Sequence, residues 1–340
     1  KITAIGSFPG PAGDAQVIDA SGLSVYPGFV EAHCHLGVDG YGIGFEGDDV
    51  NERGDVVAAH LRGLDAINPM DPTFRQAVEA GVTCVATGPG SANVLGGTFL
   101  ALKTVGIRVD HMVVKDPIAM KCAFGENPKR CYREEGNCTR MTTAAKLREL
   151  LFKASEYMEK KEAAAGDVLR KGEIPLKAHA HQANDIFTAI RIAREFGVKL
   201  TLEHCTEGHL IADELAREGY PVAVGPSFGH ATKFELRNKT FETPGILADA
   251  GCSVSIITDS PVIPQQYLPL CAGLAVKSGM KPFDALKAIT INPARHIGID
   301  RRVGSLEPGK DGDLVITDGS PFDLDTRVKY VVVDGTVVVS

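Results

Sequence analysis

Apolar residues fall along the chain in short runs of two kinds, and their alternation predicts an α/β fold. Compact runs such as Gly28-Phe-Val-Glu-Ala-His-Cys-His-Leu, Val82-Thr-Cys-Val-Ala-Thr and Ser253-Val-Ser-Ile-Ile-Thr-Asp predict strands buried on both faces. Ile118-Ala-Met-Lys-Cys-Ala-Phe is a further short strand. Between them lie segments whose apolar residues share one helix face. Thr73-Phe-Arg-Gln-Ala-Val-Glu-Ala is one, with Gly81 as its left-handed cap. A longer helix is expected over 142–171, with Leu147, Leu150, Leu151, Ala154 and Met158 on one side and Thr143 near its start. Strand–helix units then follow in series. Pro175-Leu-Lys-Ala-His-Ala-His precedes a helix over 185–196, Lys199-Leu-Thr-Leu-Glu-His precedes one over 210–217, and Pro221-Val-Ala-Val begins a third. A helix over 282–290 closes the series.

Repeated units of this kind imply parallel strands joined by right-handed crossovers. Polar residues end many of these strands, which favours a closed (β/α)8 TIM barrel, where strand ends converge on one mouth, over a doubly wound open sheet. No Gly-x-Gly-x-x-Gly opens a helix after a strand. Gly88-Pro89-Gly90 and Gly96-Gly97 are read as a Gly-rich loop walling the mouth rather than a phosphate cradle. Outside the barrel the texture changes. Gln16-Val-Ile-Asp and Leu23-Ser-Val-Tyr at one end, and Asp313-Leu-Val-Ile-Thr with the run from Lys329 at the other, read as short strands. Asp334-Gly335 is the expected hairpin turn. Neither end forms a stable sheet alone, so residues 1–27 plus 303–340 are expected to make one small β-domain around a catalytic barrel of 28–302.

Charge narrows the partner class. A net charge of −7 over 340 residues, with no long basic stripe, speaks against nucleic acid and against an anionic membrane. Lys129, Arg130 and Arg133 come nearest to such a stripe, and Glu134 and Glu135 follow directly. They read as a solvated loop, within which Arg130 could hold a substrate carboxylate. Five of the eight cysteines (Cys34, Cys84, Cys122, Cys205 and Cys252) sit in apolar runs as small core residues. Cys131 and Cys138 lie in a polar loop and are read as unlinked thiols. This usage fits a reducing, cytoplasmic setting. No apolar run long enough for a transmembrane helix and no signal peptide is read, and a chain that starts at Lys1 is expected to lack part of its natural N-terminus. A homo-oligomer is left open.

The ten histidines are placed rather than scattered. His33 and His35, two apart on a strand, share a face, and His179 and His181 repeat that spacing on a later strand. His204 ends the next strand and Asp259 the last. Imidazoles and a carboxylate gathered at successive strand ends suit one or two Zn2+-like ions.

With these motifs in order, the chain resembles the amidohydrolase superfamily of metal-dependent hydrolases, in its imidazolonepropionase-like and dipeptidase-like branch. The carrying residues are Pro27-Gly-Phe-Val-Glu-Ala-His33-Cys-His35, Lys177-Ala-His179-Ala-His181, Leu202-Glu-His204 and Ile257-Thr-Asp259. Asn292-Pro-Ala-Arg295, Gly304-Ser-Leu-Glu-Pro-Gly-Lys-Asp-Gly-Asp-Leu-Val and Val333-Asp-Gly-Thr-Val add to it, so the resemblance runs over nearly the whole chain. It implies a metal-binding barrel with a small β-sandwich built from both chain ends. It further implies that His33 and His35 hold the more buried metal, that His179 and His204 hold the other, and that Asp259 binds metal and acts as base. In that chemistry the metal acidifies a bound water and polarises the carbonyl, while Asp259 takes the proton and returns it to the leaving nitrogen. Two-metal members also need a bridging anion, for which Lys121, as a carboxylated lysine, and Glu126 compete; a one-metal site also stays open.

His181 is read either as a substrate contact that polarises the carbonyl or as a partner of a ligand, and His230, in the loop after the seventh strand, as a substrate contact. Glu203 would point away from His204 on a regular strand and is not read as a ligand. No Gly-x-Ser-x-Gly elbow supports a serine hydrolase. The expected activity is hydrolysis of a C–N bond in an amide, small peptide or cyclic amide. Hydrolytic deamination or imidazolone ring opening is the alternative, and a catalytically inactive metal-binding scaffold is the rival from another class. The substrate is expected to be a small amide or peptide-like molecule, its identity set by loops 37–70, 88–97, 125–141 and 226–245.

Overall fold

The computed structural model describes residues 1–7, 10, 13–41, 44–160 and 173–340, and only the backbone of 158–160. Twelve strands occur among them, in two sheets. The chain forms β1 (Ser24–Pro27), then β2 (Phe29–Cys34), β3 (Val82–Thr87), β4 (Leu95–Lys103), β5 (Val113–Ala123), β6 (Leu176–Ala180), β7 (Leu200–His204), β8 (Val222–Val224) and β9 (Val254–Ile256). It ends with β10 (Leu314–Thr317), β11 (Val328–Val333) and β12 (Thr336–Val339).

Strands β2 to β9 make one sheet in sequence order. Every residue of β2, β3, β6 and β7 is buried, as expected for strands covered on both faces. Seven of the eight strands run parallel, and these are the seven legible in the sequence. The eighth is β4, which lies antiparallel to both neighbours, β3 and β5. The reading of Gly96-Gly97 as loop is therefore corrected, because both glycines belong to β4. The strand was hidden because two glycines follow its first residue, Leu95, and it is buried throughout, leaving no alternation to detect. Gly97 has φ +110°, and a Cβ there would meet the Leu61 carbonyl oxygen at 2.6 Å, so the close approach of that loop requires glycine. Strand β5 is also longer than the Ile118 run suggested, because it continues back through Pro117 to Val113.

The first and last strands meet across a seam joined by a side chain. Glu31 Oε2 accepts from Thr258 N at 2.9 Å, from Thr258 Oγ1 at 2.8 Å and from Gln265 Nε2 at 3.0 Å. Its Oε1 accepts from His33 N at 3.1 Å, and His35 N donates to Ser260 O at 2.7 Å. Burial pushes the Glu31 carboxyl up to about 7 despite these bonds.

Both chain ends contribute to the second sheet, four antiparallel strands in the order β1-β10-β11-β12. Asp334 and Gly335 both have positive φ, as the expected hairpin turn demands. The Gln16-Val-Ile-Asp run is not a strand, and Val17 is exposed. Among the described residues this region is a single layer, where a sandwich would need a second sheet. Val78 of the helix Pro72–Glu79 packs on Val331 and Val333 and covers part of its face. That helix starts as the sequence indicated, with Asp71 accepting from Thr73 N at 2.8 Å and Pro72 in its first turn. The helix expected over 142–171 is Arg140–Lys160 in the described residues; 161–171 and the Met158 side chain lie outside them. No helix among the described residues is long and apolar enough to cross a membrane.

A buried ion cluster ties the small sheet to the barrel. Lys103 Nζ lies 2.6 Å from Asp313 Oδ2, 3.1 Å from Asp311 Oδ2 and 3.3 Å from Asp334 Oδ1. Lys103→Met would leave Asp313 buried without its counter-charge, while Asp311 keeps Lys1 and Arg302. Urea unfolding should show a loss of about 3–5 kcal/mol, the usual result of removing one partner of a buried pair; an unchanged midpoint would remove this cluster as the link.

Candidate metal centre

The ends of β2, β5, β6, β7 and β9 bring the chemistry-bearing residues to one mouth. His33, His179, His181, His204 and Lys121 are each 2% exposed or less, and His35 is also buried. Two groups result, His33, His35 and Asp259 on one side and His179, His181 and His204 on the other. The rings of His33 and His204 are 5.0 Å apart, so the groups adjoin. His204 and Asp259 have φ of 76° and 55°, in the left-handed region that costs a residue with a Cβ on the order of 1 kcal/mol or more. This strain re-aims side chains that a regular strand would direct elsewhere.

The imidazoles are oriented from behind. His35 Nδ1 donates to Gly88 O at 2.8 Å, and His204 Nδ1 donates to Gly225 O at 2.8 Å. His33 Nδ1 pairs with Glu203 Oε2 at 3.1 Å and His181 Nδ1 with Thr206 Oγ1 at 2.7 Å. Carbonyl and carboxylate acceptors fix the proton on Nδ1 and leave the Nε2 lone pair turned to the mouth, as in histidines that bind metal. His179 is different, since neither of its ring nitrogens has a hydrogen-bond partner although both are buried. Asp259 Oδ1 lies 3.4 Å from both His33 Nε2 and His35 Nε2. Donors around a tetrahedral ion with bonds of about 2.1 Å are separated by roughly 3.4 Å, so this spacing suits a shared cation. Burial holds His33, His179, His181 and His204 well below the ordinary imidazole range, in the neutral form a metal needs. Burial opposes the Asp259 charge, but His204, His35 and Lys121 outweigh it and hold the carboxyl below its usual value.

The two competing bridge residues are placed differently. Lys121 Nζ lies 3.1 Å from His33 Nε2, and burial lowers its amine to about 8. Glu126 begins the short helix Glu126–Cys131 and donates its backbone N–H to Glu235 Oε2 at 2.9 Å. Arg130, in that short helix, and His230, in the segment after β8, are both exposed.

Glu235 escaped the sequence reading, and Glu203, as expected, is in neither candidate ligand group but meets His33 from behind, on the same strand face as Thr201. Glu203 is fully buried and accepts from Lys177 Nζ at 2.9 Å, His296 Nε2 at 2.8 Å and Thr201 Oγ1 at 2.7 Å as well as pairing with His33. Burial disfavours its charge, but Lys177 and His296 more than offset this and keep the carboxyl ionised. Glu235, 1% exposed, comes from the loop after β8 and lies 3.6 Å from His179 Nε2 and 3.7 Å from His181 Nε2. Its sequence neighbourhood carries no metal-like spacing, and only the fold of that loop brings it in.

A model of the amidohydrolase family matches residues 153–338. The chain belongs to the amidohydrolase family. A solved amidohydrolase from Thermotoga maritima superposes with a TM-score of 0.94 at 42% identity, covering 99% of this chain and 92% of that one. The amidohydrolase tasK of Hapsidospora irregularis is 28% identical over 365 residues, covering 95% of this chain and 37% of its own length. An imidazolonepropionase of Thermoplasma volcanium is 34% identical over 158 residues, covering 46% of this chain and 37% of the relative. The matches to these two curated relatives thus span little more than a third of their length.

For this amidohydrolase chain, Nε2-presenting imidazoles, a co-located carboxylate and an unpartnered His179 ring together fit a divalent cation. A cavity of about 390 Å³ is lined by Val38, Asn51, His60, Leu61 and Pro89, from two of the loops expected to select substrate. Gly96 lines it too, and a Cβ on Gly96 would sit 3.6 Å from Lys121 Cγ, so cavity and centre adjoin.

The neutral imidazoles carry a pH signature. Their folded pKa values lie below the unfolded value of about 6.5, so the unfolded chain takes up more protons as pH falls through that value. Metal-free protein should lose stability below about pH 6.5, by up to about 1.4 kcal/mol per pH unit for each such histidine. Urea midpoints of chelator-treated protein that stay level between pH 7.5 and 5.5 would contradict this.

Proposed function

We propose that this amidohydrolase hydrolyses a C–N bond of a small amide, peptide-like or cyclic amide substrate, with Asp259 as the proton carrier. The observation that carries the reading is the position of Asp259 Oδ1, equally distant from His33 and His35 at the mouth and held ionised by its surroundings. His33 and His35 would hold one cation and His179 and His204 a second, with Zn2+ suited to this nitrogen and oxygen donor set. A cation bound there supplies acidification of water near neutral pH and polarisation of the scissile carbonyl. Asp259 accepts the proton from the attacking water and passes it to the leaving nitrogen. His181, stacked on His204 with centroids 4.7 Å apart, is placed to meet the substrate carbonyl.

Lys121 is favoured over Glu126 as the bridge. Its amine is at the centre, and lowering to about 8 leaves a useful neutral fraction to react with CO2, forming a carbamate and releasing a proton. Arg130 and His230 are proposed to act only on substrate, from the mouth loops. The segments 1–27 and 303–340 are proposed as a separate small domain that braces the barrel of 28–302.

Imidazolonepropionases and adenine deaminases among the relatives favour one second reading, ring opening or deamination on the same site. A panel of dipeptides, N-acyl amino acids, cyclic amides and amino-heterocycles separates the two, because ammonia release marks a deaminase. On any substrate so found, Asp259→Asn should lower kcat by about 10²–10⁴-fold, the range of a general acid–base group. The fold should be kept, as should most of the metal measured by elemental analysis. Near wild-type turnover would sink the mechanism.

A further inference from the structure

Glu235 is a buried carboxylate facing the second imidazole group, and nothing in the reaction proposed above employs it. Its Oε1 lies 3.6 Å from His179 Nε2 and 3.7 Å from His181 Nε2. These separations are too long for hydrogen bonds, which fall at about 2.7–3.2 Å. They are close to the roughly 3.4 Å expected between donors that share a tetrahedral ion. His179 has both ring nitrogens buried and unpartnered, so the ring points at a group other than a hydrogen-bond acceptor. We propose that Glu235 is a protein ligand of the cation held by His179, so that a loop between β8 and β9 completes that metal position.

Charge supports the assignment. Two neutral imidazoles and a bridging carbamate shared with the other cation leave part of a buried divalent charge uncompensated, and a carboxylate offsets more of it. The Glu235 carboxylate is also set in place independently of the imidazoles. Its Oε2 accepts from Glu126 N at 2.9 Å and its Oε1 from Lys233 Nζ at 3.0 Å, leaving a lone pair of Oε1 for the ion. Gly125 is the floor of this seat, since a Cβ there would lie 2.6 Å from Glu235 Oε2. The residue joins two mouth loops to the metal, so binding of the ion would hold those loops in the arrangement that substrate meets.

The inference rests on the proposed cation at His179 and His204, and the test separates the two. Zn2+ and Co2+ affinities are measured by chelator competition, with visible spectra of the Co2+ protein, for wild type, Glu235→Gln, His179→Ala and Lys233→Met. Glu235→Gln should weaken one class of ion by more than about 100-fold, beyond the 10–100-fold typical of groups that only orient a ligand. The Co2+ spectrum of that class should change while the other class is unaffected. Lys233→Met should bind both classes nearly as wild type does, which a merely structural ion pair would not explain. Should Glu235→Gln fail to fold, Glu235→Asp, which draws the carboxylate back by one methylene, should show the same selective weakening. Wild-type affinity and spectrum in the Glu235 variants, with one class lost in His179→Ala, would overturn the role of Glu235 alone. Unchanged binding in His179→Ala would overturn both this role and the cation position beneath it.

Discussion

Imidazoles gathered with a carboxylate in a buried barrel mouth are held in place largely by what receives their Nδ1 protons. The backbone carbonyls of Gly88 and Gly225, the Thr206 hydroxyl and the Glu203 carboxylate are the acceptors for four of the rings. The consequence is chemical. With the proton committed to Nδ1, the Nε2 lone pairs of these four rings are left free at two adjoining groups, which favours a cation. The strained backbone at His204 and Asp259 fits this demand, because left-handed residues re-aim donors that straight strands would leave on the wrong face.

Beneath the mouth, Glu203 links the metal-facing rings to the barrel interior. It is shared by His33, Lys177 and His296, and Lys177 also donates to Ala32 O on β2. One buried charge pair thereby ties β2, β6, β7 and the helix Ile291–His296 together at the level of the first imidazole. Across the seam, Glu31 does comparable work between β2 and the residues after β9. Polar groups in this barrel act as mechanical joints as well as chemical ones, which a purely apolar interior could not do with the same directional accuracy.

The small sheet has a different relation to the site. It touches none of the candidate ligands and meets the barrel through the Lys103 cluster and the helix Pro72–Glu79. Lys103 ends β4, the antiparallel strand that carries Gly96 and Gly97 beside Lys121. The bracing charge and the wall of the centre thus belong to one strand, a route by which the accessory sheet steadies the mouth.

Much of this was legible in the sequence because the signals were local. The parallel strands declare themselves as compact apolar runs, the Pro72–Glu79 helix by its apolar face and Gly81 stop, and the hairpin by Asp334-Gly335. The candidate ligands His33, His35, His179, His204 and Asp259 show through a two-residue spacing or a strand-end position, although the left-handed backbone that aims His204 and Asp259 does not show there. What tertiary structure decided depends on approach between distant segments or on a broken local rule. Strand β4 was invisible because its burial and antiparallel course come from its neighbours. Glu203, set aside as a ligand, is absent from both candidate ligand groups, and its pairing with His33 from beneath them is a contact made only by the fold. Lys121, equal to Glu126 as a candidate bridge in the sequence, is brought beside His33 Nε2 by the sheet, and Glu235 reaches the imidazoles only because a long loop folds back over the mouth. Spacing along a strand is dictated by covalent geometry, whereas the meeting of loop and rim is set by the closed barrel.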